Sequence, residues 1–346
     1  MQAKKILFIN FGGLGDEILF LPTIQAVKKE YPNSHITLAL EERSKGITSL
    51  TNVVDEVLFA NIKQSFPLLG GGLGRGLSKI LKLANLLLKI WQGKFDVVIS
   101  SGSNKFISIF LFLTFIKERY GYNTGKLSQI LLTKAVNLNK NQYAVQMYAD
   151  LAKPITNYEF QLPVLDIQKK PIIPNSVLIH PGVSKISVKK GMIKTIPATE
   201  WAKTVDKLAD SGKKVLLIGG PDDEECINTI IKLVSPKKYE NLYGTTKNLR
   251  ELAELISSAE IFLCSDSAPL HIAVALEVKT FVIFGSTDDK KLIPQNSNVF
   301  PIKANCNCPL QPCLWERRQT TCESLDCLKI SADEIVDQII SRNFLS

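Results

Sequence analysis

The sequence predicts an α/β protein built from two Rossmann-like domains, each a parallel sheet flanked by helices. Three observations carry this reading. Residues 5–16 read as a buried strand, a glycine-rich loop and the start of a helix. Residues 261–287, IFLCSDSAPLHIAVALEVKTFVIFGST, read as strand, tight turn, helix, strand and loop, which is one βαβ unit. Between them, residues 167–176 combine lysine and proline without any apolar period and read as a linker. At 346 residues the chain has the length of two ordinary domains.

Composition narrows the class. The chain is 45% hydrophobic and 22% charged, as a globular protein should be, and its net charge is +9. That balance favours acidic partners such as nucleotides, phosphorylated sugars or an anionic membrane surface. No nucleic-acid motif and no long Lys/Arg run is present, so no nucleic-acid partner is expected. Lys4 and Lys5 lead straight into a strand pattern without a cleavage site, so no signal peptide is read. Residues 106–116 are strongly apolar but too short to span a bilayer. A cytoplasmic, non-integral protein is expected.

The elements follow in order. Residues 5–10, KILFIN, form a buried-type strand, and residues 11–16, FGGLGD, the glycine loop. Residues 17–31 carry apolar positions at helical spacing, with Pro32 just beyond. Strands follow at 35–40, 57–60 and 95–100. The loop lacks the third glycine of a dinucleotide fingerprint. Asp16 sits where loop becomes helix. It can be a plain N-cap, and it can also be a carboxylate at a strand's carboxyl end, available as a general base.

Residues 64–76 hold five glycines in seven positions and predict a mobile loop. The helix expected at 77–91 is very apolar but dotted with Lys79, Lys82 and Lys89. It suits first a core helix with snorkelling lysines and, as the lesser reading, an interfacial helix on a membrane surface. In the second domain, 177–180 is a strand and 181–197 a long lysine-rich loop. Helices are expected at 199–211, 222–234 and 249–257, with strands at 214–218 and 240–243. A closing helix at 331–343 can return to the first domain. The domains are therefore 1–166 and 177–330, followed by 331–346.

Chemistry concentrates in the 265–271 turn. Asp266 or Ser267 can cap the helix, and Pro269 suits its first turn. The amides at that helix start, with the macrodipole behind them, favour an anion such as a phosphate. His271, one turn in, can reach such a phosphate or can be a satisfied core histidine. Seven cysteines are present, five of them between Cys306 and Cys327. Neither a C-x-x-C pair nor a local histidine accompanies those five. Packing, a zinc site and a disulfide all stay open for them.

Several motifs in a fixed order give the chain a family resemblance. They are GLGD and LP within residues 13–22, HPG at 180–182, and Lys194, Pro197 and Trp201 in the pattern K-x-x-P-x-x-x-W. GGPDDEE at 219–225, DSAPLH at 266–271 and FGSTD at 284–288 complete the set. The chain resembles glycosyltransferase family 9, the ADP-heptose:lipopolysaccharide heptosyltransferases, over nearly its whole length. The resemblance implies the GT-B architecture, two Rossmann-like domains with parallel sheets facing across a cleft. It implies an inverting transfer of heptose, or a related sugar, from a nucleotide-sugar donor to a lipid-linked saccharide acceptor of the lipopolysaccharide core. Asp16 matches the family's proposed base, and Lys194 matches a lysine on the donor's phosphates. An acid within Asp222–Glu224, Asp223 first among them, matches one on the ribose, and Asp266, Ser267, Ala268 and His271 match the pyrophosphate turn. Gly13 and Gly15 join the donor-binding candidates. Arg75, Lys185, Lys189 and Lys190 are candidates for acceptor or phosphate contacts. Ala268 departs from the family's usual glycine. No D-x-D pattern occurs, so transfer without a metal or other cofactor is expected. Contact with the cytoplasmic face of an anionic inner membrane fits the +9 charge. A GT-B sugar-nucleotide epimerase or hydrolase, and a non-catalytic nucleotide-sugar binder, are the alternatives.

Overall fold

The computed structural model describes residues 4–60, 73–157, 159–295, 297–314 and 322–343. Two compact units divide the chain, Met1–Asp166 and Ile167–Ser346.

The first unit runs β1 (Lys5–Asn10), α1 (Leu14–Glu30), β2 (His35–Leu40), β3 (Glu56–Phe59), α2 (Leu73–Gly93) and β4 (Val97–Ser100). Then come α3 (Lys105–Leu113), β5 (Glu118–Tyr122), α4 (Lys126–Leu131), β6 (Lys134–Val136) and α5 (Ala144–Ala149). Its six strands are ordered β3-β2-β1-β4-β5-β6 and all neighbours pair in parallel. β1 is the first strand in sequence yet lies mid-sheet, so five of its six residues are buried and the strand is apolar on both faces. Alternate side chains serve different layers. Phe8 meets Phe20 of α1 edge-on at 5.9 Å, while Leu7 and Ile9 join the core beneath α2 and α3.

The second unit runs β7 (Ile173–His180), α6 (Lys185–Lys189), α7 (Ala198–Asp210), β8 (Lys214–Leu217), α8 (Glu224–Leu233) and β9 (Glu240–Asn241). It continues with α9 (Leu249–Ser257), β10 (Ala259–Ser265), α10 (Ala268–Ala275), β11 (Thr280–Ile283), α11 (Asp289–Leu292), β12 (Val299–Ile302) and α12 (Ala332–Asn343). The order β12-β11-β10-β7-β8-β9 repeats the first unit's pattern, again all parallel. Val177, Ile179, Ile261 and Leu263 supply the core under α7, α8 and α12, with Trp201 fully buried among them.

Several expectations change. β7 begins at Ile173, inside the stretch read as linker, because Ile173 N–H donates to Ser258 O and so extends the sheet. α12 packs on α7, and its Ile335, Val336 and Ile339 complete the second unit's core. Its apolar face is therefore used in its own unit. α2 begins at Leu73, so Gly74, Arg75 and Gly76 are helical, not loop. Residues 64–72 of that expected loop lie outside the described residues. The lysine-rich loop at 181–197 contains α6. Strands β5, β6 and β12 were not anticipated. Among the described residues no helix is long and apolar enough to cross a membrane.

Candidate active site

In a sheet of this order the connections reverse direction at one point, and ligands gather outside the strand ends there. In the second unit that point lies between β7 and β10. The segments leaving it are His180-Pro181-Gly182 and Asp266-Ser267, two of the motifs singled out above.

Asp266 directly follows β10 in a buried position, 3% exposed. Its Oδ2 lies 3.0 Å from Lys194 Nζ and accepts from Thr287 Oγ1 at 2.7 Å. Burial pushes the carboxyl up. The Lys194 ammonium, the Thr287 hydroxyl and nearby His271 outweigh it and hold the group below its ordinary range. Asp266 is thus an anion that fixes Lys194. Lys194 keeps a quarter of its side chain exposed, so its charge is oriented yet reachable.

α10 follows at once. Ser267 is its N-cap in extended conformation, and Ser267 Oγ turns back to Ser265 O. Pro269 has no N–H, and Leu270 N–H bonds Ser267 O, so the Ser267 and Ala268 amides head the helix. Ala268 is helical and is absent from the left-handed residues, so the missing glycine costs nothing there. His271 is buried on the same helix.

A polar knot joins the three site loops. Thr195 Oγ1 lies 2.6 Å from Pro181 O and accepts from Trp201 Nε1 at 2.9 Å. Ser265 Oγ lies 2.8 Å from Thr195 Oγ1 and 2.9 Å from Pro181 O. The spacing from Lys194 to Trp201 now has a cause: the buried indole anchors the residue beside the lysine. The 284–288 turn is tied in as well, with Ser286 Oγ donating to Ile193 O at 3.0 Å. From the other side the tail clamps it, through Gln311 Nε2 to Gly285 O at 2.6 Å and Cys313 N–H to Ser286 O at 2.9 Å.

Asp223 is only 6% exposed. Its Oδ2 accepts the Gly220 N–H at 2.8 Å and faces His180 Nε2 at 3.3 Å. A Cβ on Gly182 would fall 1.6 Å from its Oδ1. The carboxylate therefore braces the 180–182 and 219–221 turns. Asp222 and Glu224 beside it are exposed. Lys185 Nζ donates to Pro221 O at 2.7 Å, while Lys189 and Lys190 lie exposed. The Arg75 side chain is outside the described residues.

In the first unit, Asp16 occupies the third position of α1 and not its N-cap, which is Gly13. The Gly13 N–H donates to Asp16 Oδ2 at 2.6 Å. Gly15 lies in the same first turn. Tyr148 Oη donates to Asp16 Oδ1 at 3.4 Å. Burial, and then the Asp16 charge, push the Tyr148 phenol well up, so it remains a donor. Gly12 allows the close approach, since a Cβ there would meet Asp16 Cβ at 2.3 Å. Arg43 and Ser44 both donate to Gly12 O and pin the loop.

The cysteines are all free thiols, and no His/Cys/Asp/Glu group among the described residues could hold a metal ion. Cys327 is buried, and burial followed by the neighbouring thiols raises it to about 11. Cys226 is pushed up to about 12 by burial.

Two parallel sheets of one topology, a cation over a helix start in the second unit and a held carboxylate in the first are the parts of a GT-B glycosyltransferase. The chain belongs to glycosyltransferase family 9 (heptosyltransferase), whose model matches residues 83–322. It is 24% identical over 334 residues to lipooligosaccharide heptosyltransferase 2 of Campylobacter jejuni, covering 94% of this chain and 95% of that one. To lipopolysaccharide heptosyltransferase 3 of Escherichia coli it is 24% identical over 304 residues, covering 82% and 83%. Among solved structures, E. coli ADP-heptose lps heptosyltransferase II superposes with a TM-score of 0.72 at 18% identity, covering 99% of each chain. E. coli heptosyltransferase WaaC with ADP-2-deoxy-2-fluoro heptose superposes at 0.71 and 16% identity, covering 98% and 99%.

Proposed function

We propose that this enzyme moves a heptose from ADP-heptose to a hydroxyl of the lipopolysaccharide core, with inversion and without a metal. The observation that carries the reading is the Lys194–Asp266–Thr287 cluster at the head of α10. It presents one oriented cation and two amides where a diphosphate would lie. ADP-heptose is supported by the names of the solved relatives, and the acceptor class by those of the curated ones.

In the reaction Asp16 accepts the proton of the acceptor hydroxyl. The freed oxygen forms its bond to the anomeric carbon as the bond to the diphosphate oxygen breaks, and the electron pair leaves with ADP. Lys194 and the Ser267 and Ala268 amides offset the charge growing on that leaving group. A single displacement inverts the anomeric centre. The chain carries no D-x-D pattern for a metal-bridged diphosphate, which supports charge compensation by these groups. The acceptor is lipid-linked, so the enzyme works at the cytoplasmic face of the inner membrane.

Donor choice is tested by thermal shift with ADP, UDP, GDP and CMP. ADP at a hundredfold excess over its Kd should stabilise the fold by roughly 2.7 kcal/mol. Stabilisation by UDP alone would overturn the donor and leave the base intact. Asp16→Asn should lower kcat by about 10²- to 10⁴-fold while ADP binding stays within a factor of two. An equal loss of ADP binding would remove Asp16 from the chemistry. Turnover of donor without acceptor would favour hydrolysis.

A further inference from the structure

The outer surface of the first unit's α2–α3–α4 layer carries a feature that the transfer reaction does not use. α2 buries Leu86, Leu87 and Ile90 against the sheet, with Leu83 partly buried beside them. Its opposite side exposes Ile80, Leu81, Leu88 and Trp91, each between 42% and 60%. At about 100° per residue these four fall within an arc of about 100°, and Lys89 and Lys82 follow at roughly 80° and 100° beyond its Leu81 margin.

Neighbouring elements extend the arc. Trp91 Nε1 donates to Leu113 O at 3.0 Å, and its ring lies 5.9 Å from that of Phe115, which is 71% exposed. Phe112 is exposed under the Arg119 guanidinium, and Arg119 Nε reaches Leu131 O at the end of α4. There Ile130 stands 77% exposed. One surface therefore spans three helices.

Its charge is one-sided. The three helices contain six Lys or Arg, four in α2 and one each in α3 and α4, and no Asp or Glu. The nearest acids in the chain, Asp96 and Glu118, are engaged by the Lys5 amide and by Lys4 and Tyr120. A protein partner burying aromatic and aliphatic side chains does not require a purely cationic margin. An anionic bilayer does, because its headgroups meet the lysines while the apolar groups enter the acyl boundary.

We propose that the α2–α3–α4 face docks the enzyme on an anionic lipid surface through Leu81, Leu88, Phe115 and Ile130, with Lys82 and Lys89 on the headgroups. The proposal rests on the functional reading only in that a lipid-linked acceptor gives the contact a purpose. Its readout is independent of transfer.

The test is flotation of the purified full chain with vesicles of phosphatidylcholine alone or with phosphatidylglycerol. Binding should require phosphatidylglycerol and fall with added salt. Lys82→Gln with Lys89→Gln should weaken it by about thirtyfold, roughly a factor of five per charge. Leu88→Gln with Ile130→Gln should weaken it at least comparably. Both are surface changes, so circular dichroism and the ADP thermal shift should match the wild type. Absence of binding, equal binding to neutral vesicles, or binding that ignores both variants would overturn the proposal. So would a dimer in sedimentation that the Leu88/Ile130 variant dissolves, since a second copy would then cover the face.

Discussion

Asp16 and Asp266 are held by opposite means. Neutral donors surround Asp16, the Gly13 amide and the Tyr148 hydroxyl, so its charge is steadied without a bound cation. Tyr148→Phe removes one hydrogen-bond donor from the Asp16 carboxylate and should lower kcat a few-fold with ADP binding unchanged. An unchanged kcat would make the contact structural. Asp266 is instead matched to a full charge. Its folded-state pKa lies below the unfolded value of about 3.9. Its stabilisation is therefore complete above that pH and is lost as pH falls through the folded value. Asp266→Asn should cost about 2 kcal/mol near neutrality, a typical charge-assisted hydrogen bond. The gap in Tm to wild type should close below about pH 4. Gly182→Ala drives a Cβ into Asp223 and should cost about 1–3 kcal/mol by overpacking.

At the scale of elements, the polar knot under the site links a strand end, a loop and a helix that are distant in sequence. Thr195→Val leaves the Trp201 N–H without its partner, while the Ser265 hydroxyl keeps Pro181 O, and should cost about 1–3 kcal/mol, with weakened ADP affinity. Calorimetry and ADP titration read both. Elements buried on both faces were legible in the sequence because nothing interrupts their apolar runs, as in β1, β2 and β10. β6 is three residues long and β5 reads ERYGY, so neither shows such a run. β12 carries Pro301, which an edge strand tolerates because it pairs on one side only. Asp16, Lys194 and the 265–271 turn were legible as motifs. The burial of Asp223 and the Tyr148 contact were not, since a partner 132 residues away leaves no local period.

Across the whole molecule, each unit owns a core and a sheet of the order 3-2-1-4-5-6, and the chain divides between Asp166 and Ile167. Donor binding on this view belongs to the second unit. Hydrogen exchange with ADP should slow residues 180–195 and 262–275 while β1 and α1 stay unchanged; protection in β1 and α1 would reassign the donor. The repeated strand order has a consequence for how such enzymes can diversify. A unit that completes its own sheet and core carries its ligand preference with it as a heritable cassette. Recombination at the 166/167 boundary should then exchange nucleotide preference in one step and leave acceptor choice with the other half, as a chimera with a family member of different donor would display.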